Sequence, residues 1–132
     1  MDVHPAAERW ARTWERAWPA GEAATVAALY AADATYRSHP MRDPEPGGAL
    51  GYVRRQFAVE QGVECWFGEP VAGRHRAAVE WWASLREGGA AVTLAGTTLL
   101  RFEAAGQVTD HVDYWVSEPG RRQPWSGWGR GD

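Results

Sequence analysis

Asp110-His111-Val112-Asp113-Tyr114-Trp115 is the segment whose residue types could do chemistry. On an extended strand residues two apart share a face, so His111, Asp113 and Trp115 point one way and Asp110, Val112 and Tyr114 the other. A carboxylate, an imidazole and an indole on one face are suited to proton abstraction beside an aromatic wall. Asp113, flanked by valine and aromatic residues, is poorly placed for a solvated surface acid. In an apolar pocket it loses water, and an ionised carboxylate there is a stronger base. The same pattern also fits a structural acid hydrogen-bonded to a backbone group or an indole N–H.

Other chemistries lack their signatures. There is no G-x-x-x-x-G-K-[ST] and no G-x-G-x-x-G after a strand, so no nucleotide loop or cofactor fingerprint is expected. H-E-x-x-H and paired cysteines are absent, and the histidines at 4, 39, 75 and 111 are too scattered to argue for a metal. No G-x-S-x-G elbow is present. The single cysteine, Cys65, has no supporting motif and reads as a small buried hydrophobe.

Charge adds a further exclusion. The net charge of −3 gives no electrostatic support for nucleic-acid binding. All 14 bases are arginine, and lysine, isoleucine and asparagine do not occur; this is the coding bias of a GC-rich genome, not evidence of phosphate recognition. Nine tryptophans are beyond such bias and suit a core, a pocket or an interface. The longest uncharged run, Gly88 to Leu100, is 13 residues, short of the roughly 20 a bilayer-spanning helix needs. Residues 1–5 show no basic region followed by an apolar stretch. A cytoplasmic location is expected.

The elements that must carry these residues follow from periodicity. Ala7, Trp10, Ala11, Trp14, Ala17 and Trp18 recur at helical spacing, closed by Pro19-Ala20-Gly21. A second helix is predicted from about Glu22 to Tyr30, and a strand over Ala34–His39. Pro40 to Gly48 reads as a loop, and Leu50, Val53 and Phe57 as a third helix. A short strand over Val63–Gly68 precedes a meander: His75–Glu87, a Gly88-Gly89 turn, Ala90–Glu103, a second turn, then Gln107–Val116. Helices massed before a late antiparallel sheet predict an α+β domain, residues 1–118, with an irregular Gly/Pro/Trp-containing tail over 119–132 that either frays or docks by its tryptophans.

Both faces of the meander are apolar. One carries Val79, Trp81, Ala83, Leu94, Leu100, His111, Asp113 and Trp115. The other keeps Trp82, Leu99, Val112, Tyr114 and Val116, where a one-sided sheet would be polar. That second face predicts a homodimer; a partly exposed aromatic surface is the alternative.

The element order, the strand Ala-Thr-Tyr-Arg-Ser-His-Pro (34–40) and the ending Val-Thr-Asp-His-Val-Asp-Tyr-Trp (108–115) resemble the SnoaL-like branch of the nuclear-transport-factor-2-like superfamily. The likeness covers about residues 6–116. It implies a cone-shaped, strongly bent, mostly antiparallel sheet with three helices enclosing a pocket, and often a dimer through the outer sheet face. In SnoaL-like polyketide cyclases and related limonene epoxide hydrolases an aspartate of the last strand acts as base; that position is Asp113. The hydrolases hold their water with a Tyr and an Asn two apart. Tyr36 matches the first, and Ser38 stands where the Asn would be. Their Arg-x-Asp pair falls on Trp81 and Ala83, which weighs against epoxide hydrolysis.

The expected catalytic residues are Asp113, His111 and Tyr36, with Trp14, Ser38, Phe57, Trp81, Leu94 and Trp115 lining the substrate pocket. The expected ligand is an apolar or aromatic small molecule, with no cofactor and no metal. Tyr36, Ser38 or His111 would hydrogen-bond a developing oxyanion. The activity implied is a cofactor-independent lyase, isomerase or cyclase. A non-catalytic small-molecule binding module of the same fold is the alternative.

Overall fold

The structure, a computed structural model, describes residues 2–132. Helix α1 (Val3–Ala20) starts where the Asp2 carboxylate accepts from the His4 backbone N–H and stops at Gly21. Gly21 takes φ 68, and its N–H turns back to the carbonyls of Ala17 and Trp18. The i, i+4 spacing of Trp10, Trp14 and Trp18 puts all three indoles on one buried stripe. After the short α2 (Ala23–Ala27) come β1 (Tyr30–Arg37), α3 (Gly48–Val59), β2 (Glu60–Phe67), the two-residue β3 (Val71–Ala72), β4 (Arg76–Glu87), β5 (Ala90–Phe102) and β6 (Val108–Pro119).

The six strands form one curved sheet in the order β1-β6-β5-β4-β2, with β3 also paired to β4. Among the described residues, only β1 and β6 run parallel. The architecture is the α+β cone expected, three helices against a mostly antiparallel sheet. Register places the inner face in rows: Ala77, Leu100 and His111; Val79, Thr98 and Asp113; Trp81, Gly96 and Trp115. Gly96 is required by that last row. A Cβ there would strike the Tyr114 carbonyl oxygen and lie 2.8 Å from the Trp115 Cβ.

Several boundaries differ from periodicity. The second helix ends at Ala27 instead of reaching Tyr30, because Tyr30 is claimed by the sheet: it pairs with Val108, whose N–H donates to the Leu29 carbonyl. A one-turn helix has little propagation to set against such pairing. For the same reason the first strand starts four residues before Ala34. Strand β2 starts at Glu60, and its bulge at Gly62, φ 60, hid the earlier part from an alternation test. Strand β3, two residues long, is too short to show alternation and has no counterpart in the elements expected from periodicity.

The tail docks. Beyond β6 it folds back over the outer face, where the Thr93 hydroxyl donates to the Gly120 carbonyl and Ser84 donates to that of Arg122. Trp125 meets Trp82 edge-on at 6.1 Å, and the Glu69 N–H donates to the Gly129 carbonyl. Trp82 is therefore covered by its own chain, whereas Tyr114 and Val116 stay 45% and 71% exposed.

Candidate functional site

The tryptophan stripe of α1, the concave sheet face and α3 enclose a cavity of about 240 Å³. Its floor is built from buried side chains, Trp10 and Trp14 from above and Trp81, Thr98, His111 and Asp113 from the sheet. Its mouth is rimmed by more exposed ones: Arg42, Tyr52, Gln56, Glu60 and Glu87. Phe57, Leu94 and Trp115 complete the wall.

Asp113 is 8% exposed and sits at the end of a hydrogen-bond chain. The indole N–H groups of Trp10 and Trp14 both reach the Tyr30 hydroxyl oxygen, at 3.0 and 3.2 Å. That oxygen lies 2.9 Å from His111 Nδ1, and His111 Nε2 lies 2.7 Å from Asp113 Oδ1. Indole N–H can only donate, so Tyr30 accepts twice and has only its own proton to give, to Nδ1. The proton of a neutral His111 is thereby assigned to Nε2, which donates to Asp113. A second chain converges on the same oxygen. Trp81 donates to Thr98 Oγ1 at 2.8 Å, and Thr98 donates to Asp113 Oδ1 at 2.6 Å. Oδ1 is saturated, while Oδ2 has no hydrogen-bond partner among the described residues.

Two phenols face the same cavity. Tyr36, 1% exposed, stacks on His111 with centroids 3.8 Å apart, and Tyr52 lies 4.8 Å from Tyr36. Neither hydroxyl has a hydrogen-bond partner among the described residues, and both side chains line the cavity. Burial, and next the nearby Asp113 charge, push both phenols well above their ordinary value of 10. They stay protonated, and each hydroxyl has a proton free to donate.

Eight of the nine sequence-predicted pocket residues line this cavity: Trp14, Tyr36, Phe57, Trp81, Leu94, His111, Asp113 and Trp115. Ser38 does not. Its hydroxyl donates to Glu45 at 2.7 Å and its carbonyl accepts the Trp115 indole N–H, so it braces the wall from behind. Nor can His111 serve a bound oxyanion, since both ring nitrogens are occupied.

Sequence reading missed Thr98, Tyr52 and Glu60. Thr98 sits opposite Asp113, in a register that the irregularity between Arg101 and Phe102 hides from counting back through the turn. Glu60 lay at a helix–strand junction with no periodic signal. Its Oε1 accepts from Trp18 at 2.7 Å and its Oε2 from Gln56 at 3.1 Å. Burial, and less so Glu87, raise its pKa above 4.5, although the two N–H donors pull the other way. Cys65 is no nucleophile, because burial pushes its thiol up to about 12. Among the described residues, the cluster with metal-ligand chemistry, His4, Glu8 and Glu69, lies outside the cavity.

The fold is shared with solved structures of low sequence identity. One is the epoxide hydrolase/cyclase-like enzyme SalBIII of pyran ring formation in the polyether salinomycin: 14% identity, TM-score 0.73, 88% of this chain and 95% of that chain covered. Another is an LEH-like epoxide hydrolase of M. tuberculosis: 20% identity, TM-score 0.69, coverage 86% and 84%. A third is a protein with a ketosteroid isomerase-like protein fold from Catenulispora acidiphila, in complex with trimethylamine: 24% identity, TM-score 0.66, coverage 80% and 83%. No curated protein sequence matches the chain. The SnoaL-like domain profile matches residues 8–111, from the α1 tryptophan stripe through the first strand to the start of β6, ending two residues before Asp113, and the chain belongs to the SnoaL-like family.

Proposed function

We propose that the protein is a cofactor-independent lyase, isomerase or cyclase in which Asp113 is the general base toward an apolar carbonyl compound. The observation that carries this reading is the asymmetry of one carboxylate. Oδ1 is held by Thr98 and His111, and Oδ2 has no protein partner in an aromatic cavity. In the proposed step Oδ2 takes a proton from the carbon beside the carbonyl, and the C–H electron pair moves onto the carbonyl oxygen. Tyr36 and Tyr52, kept protonated by burial, donate hydrogen bonds to that oxygen as charge develops. The proton returns from Oδ2 to another carbon in an isomerase, or the carbanion closes a ring or expels a group. Trp81 and Ala83 at the positions of the hydrolase Arg-x-Asp pair argue against epoxide hydrolysis.

Asp113→Asn keeps the shape and removes the base. Turnover of a substrate should fall by at least ~10²-fold while affinity is retained. Unchanged turnover removes Asp113 from catalysis. The dominance of aromatic wall over polar groups supports a second reading, a non-catalytic binding module with Asp113 as polar anchor. In that case Asn alters affinity modestly and no product forms with either protein.

The same reading includes a homodimer through Leu99, Val112, Tyr114 and Val116, and a cytoplasmic location. Among the described residues, no helix is long and apolar enough to cross a membrane. Residues 1–118 form the functional domain and 119–132 its docked tail.

A further inference from the structure

The mouth of the cavity carries a second polar pole that proton abstraction at Asp113 does not use. Glu60 stands there, at the junction of α3 and β2, and lines the cavity together with its cross-strand partner Glu87. Glu60 is half-buried, and a carboxylate partly withdrawn from water gains from a cationic partner. Glu60 has none: its contacts are the neutral N–H groups of Trp18 and Gln56, and no ion pair involves it among the described residues. Each Glu60 oxygen accepts one bond and keeps capacity for another.

The charge count around the cavity points the same way. Asp113, Glu60 and Glu87 are three acids, against the single guanidinium of Arg42, which is drawn over the Trp115 ring at 5.7 Å. Around them are indole and phenyl faces, which attract organic cations. The floor supplies an independent sign of a ligand: Tyr36, a residue only 1% exposed, lines the cavity, and its hydroxyl has no hydrogen-bond partner among the described residues.

We infer that the ligand of this cavity carries a cationic nitrogen, an ammonium group on an apolar body, and that Glu60 binds it at the mouth. The inference rests on the reading that the cavity holds an apolar small molecule, and deepens it by naming the ligand's second polar end. Glu60 supplies the counter-charge, Glu87 adds a weaker one from the rim, and the aromatic wall holds the body between ammonium and floor.

Three probes of one body and different charge test it: phenylbutylamine, phenylbutanol and phenylbutyrate, titrated calorimetrically into the full chain. The amine should bind about tenfold tighter than the alcohol, with the acid weakest. Glu60→Gln keeps an acceptor for the Trp18 N–H. It should erase the amine's advantage while alcohol affinity stays within about twofold. Glu87→Gln, at an exposed position that cannot decide folding, should reduce that advantage by a smaller factor. Alcohol binding as tightly as amine, or an amine preference surviving in Glu60→Gln, overturns the inference and leaves the apolar cavity reading standing. Preference for the acid also overturns it and gives the mouth to Arg42. Failure of all three probes to bind removes both readings.

Discussion

The Tyr30 hydroxyl lies 2.9 Å from His111 Nδ1 and accepts the indole N–H groups of both Trp10 and Trp14. Its own proton is directed at the imidazole, and the tautomer of His111 is set by two indoles of α1. Helix α1 thus orients the Asp113 carboxylate through Tyr30 and His111.

Tyr30→Phe removes the shared acceptor. Two buried N–H donors lose their partner, at a cost of about 2–4 kcal/mol in urea unfolding. Imidazole nitrogen NMR should show only the Nε2–H form of neutral His111 in the parent and a mixture of tautomers in the variant. A parent protein with Nδ1–H would contradict the chain of donors.

Thr98→Val is nearly isosteric and tests the second chain. It leaves the buried Trp81 N–H without an acceptor and removes one of the two bonds to Asp113 Oδ1. The urea midpoint should fall by the equivalent of about 1–3 kcal/mol with an unchanged m-value. A loss under about 0.5 kcal/mol would mean that Trp81 does not depend on Thr98.

Glu60 should make stability pH-dependent in a definite direction. Burial, and secondarily Glu87, raise its folded-state pKa above the ordinary 4.5. The folded protein then holds this proton to higher pH than the unfolded chain, so the associated stability is full below 4.5 and is lost as pH rises through the folded-state value. Glu60→Gln cannot ionise. Its Tm relative to the parent should increase between about pH 4 and about pH 7. A relative decrease over that range would mean that the ionised carboxylate stabilises the fold.

Truncation after Gly120 uncovers Trp82 and removes the Arg122 carbonyl and N–H from Ser84 and Thr93. Tm should drop, with increased quenching of tryptophan fluorescence by added iodide. Light scattering should still give about twice the chain mass of 14.6 kDa for the intact protein, and about twice the shortened mass for the variant, because Leu99, Val112, Tyr114 and Val116 remain. A monomeric intact protein would end the dimer reading. Loss of the dimer on truncation alone would put the tail in the interface.

Much of this molecule is legible along the chain because it depends on near-neighbour spacing. The i, i+4 tryptophans define the α1 stripe, and the period-two pattern of β6 puts His111 and Asp113 on one face, since these follow from helix and strand geometry alone. The meander and the α+β class follow from the same local rules and from turn residues, whereas the two-residue β3 left no pattern to read. Ser38 shows their limit. Alternation puts it on the face of Tyr36, yet Glu45, seven residues on, draws its hydroxyl away. Tyr30 shows another, ending a helical pattern but pairing with Val108 in a parallel ladder. The tertiary structure alone decided that Trp10, Trp14, Tyr30, His111 and Asp113 form one chain, that Thr98 faces Asp113, and that Glu60 stands at the mouth. Apart from the His111–Asp113 link, those contacts join residues 15 to 81 positions apart, and no local period encodes them. They exist because burial forces each polar group to find a partner, and only the folded cone determines which partner is within reach.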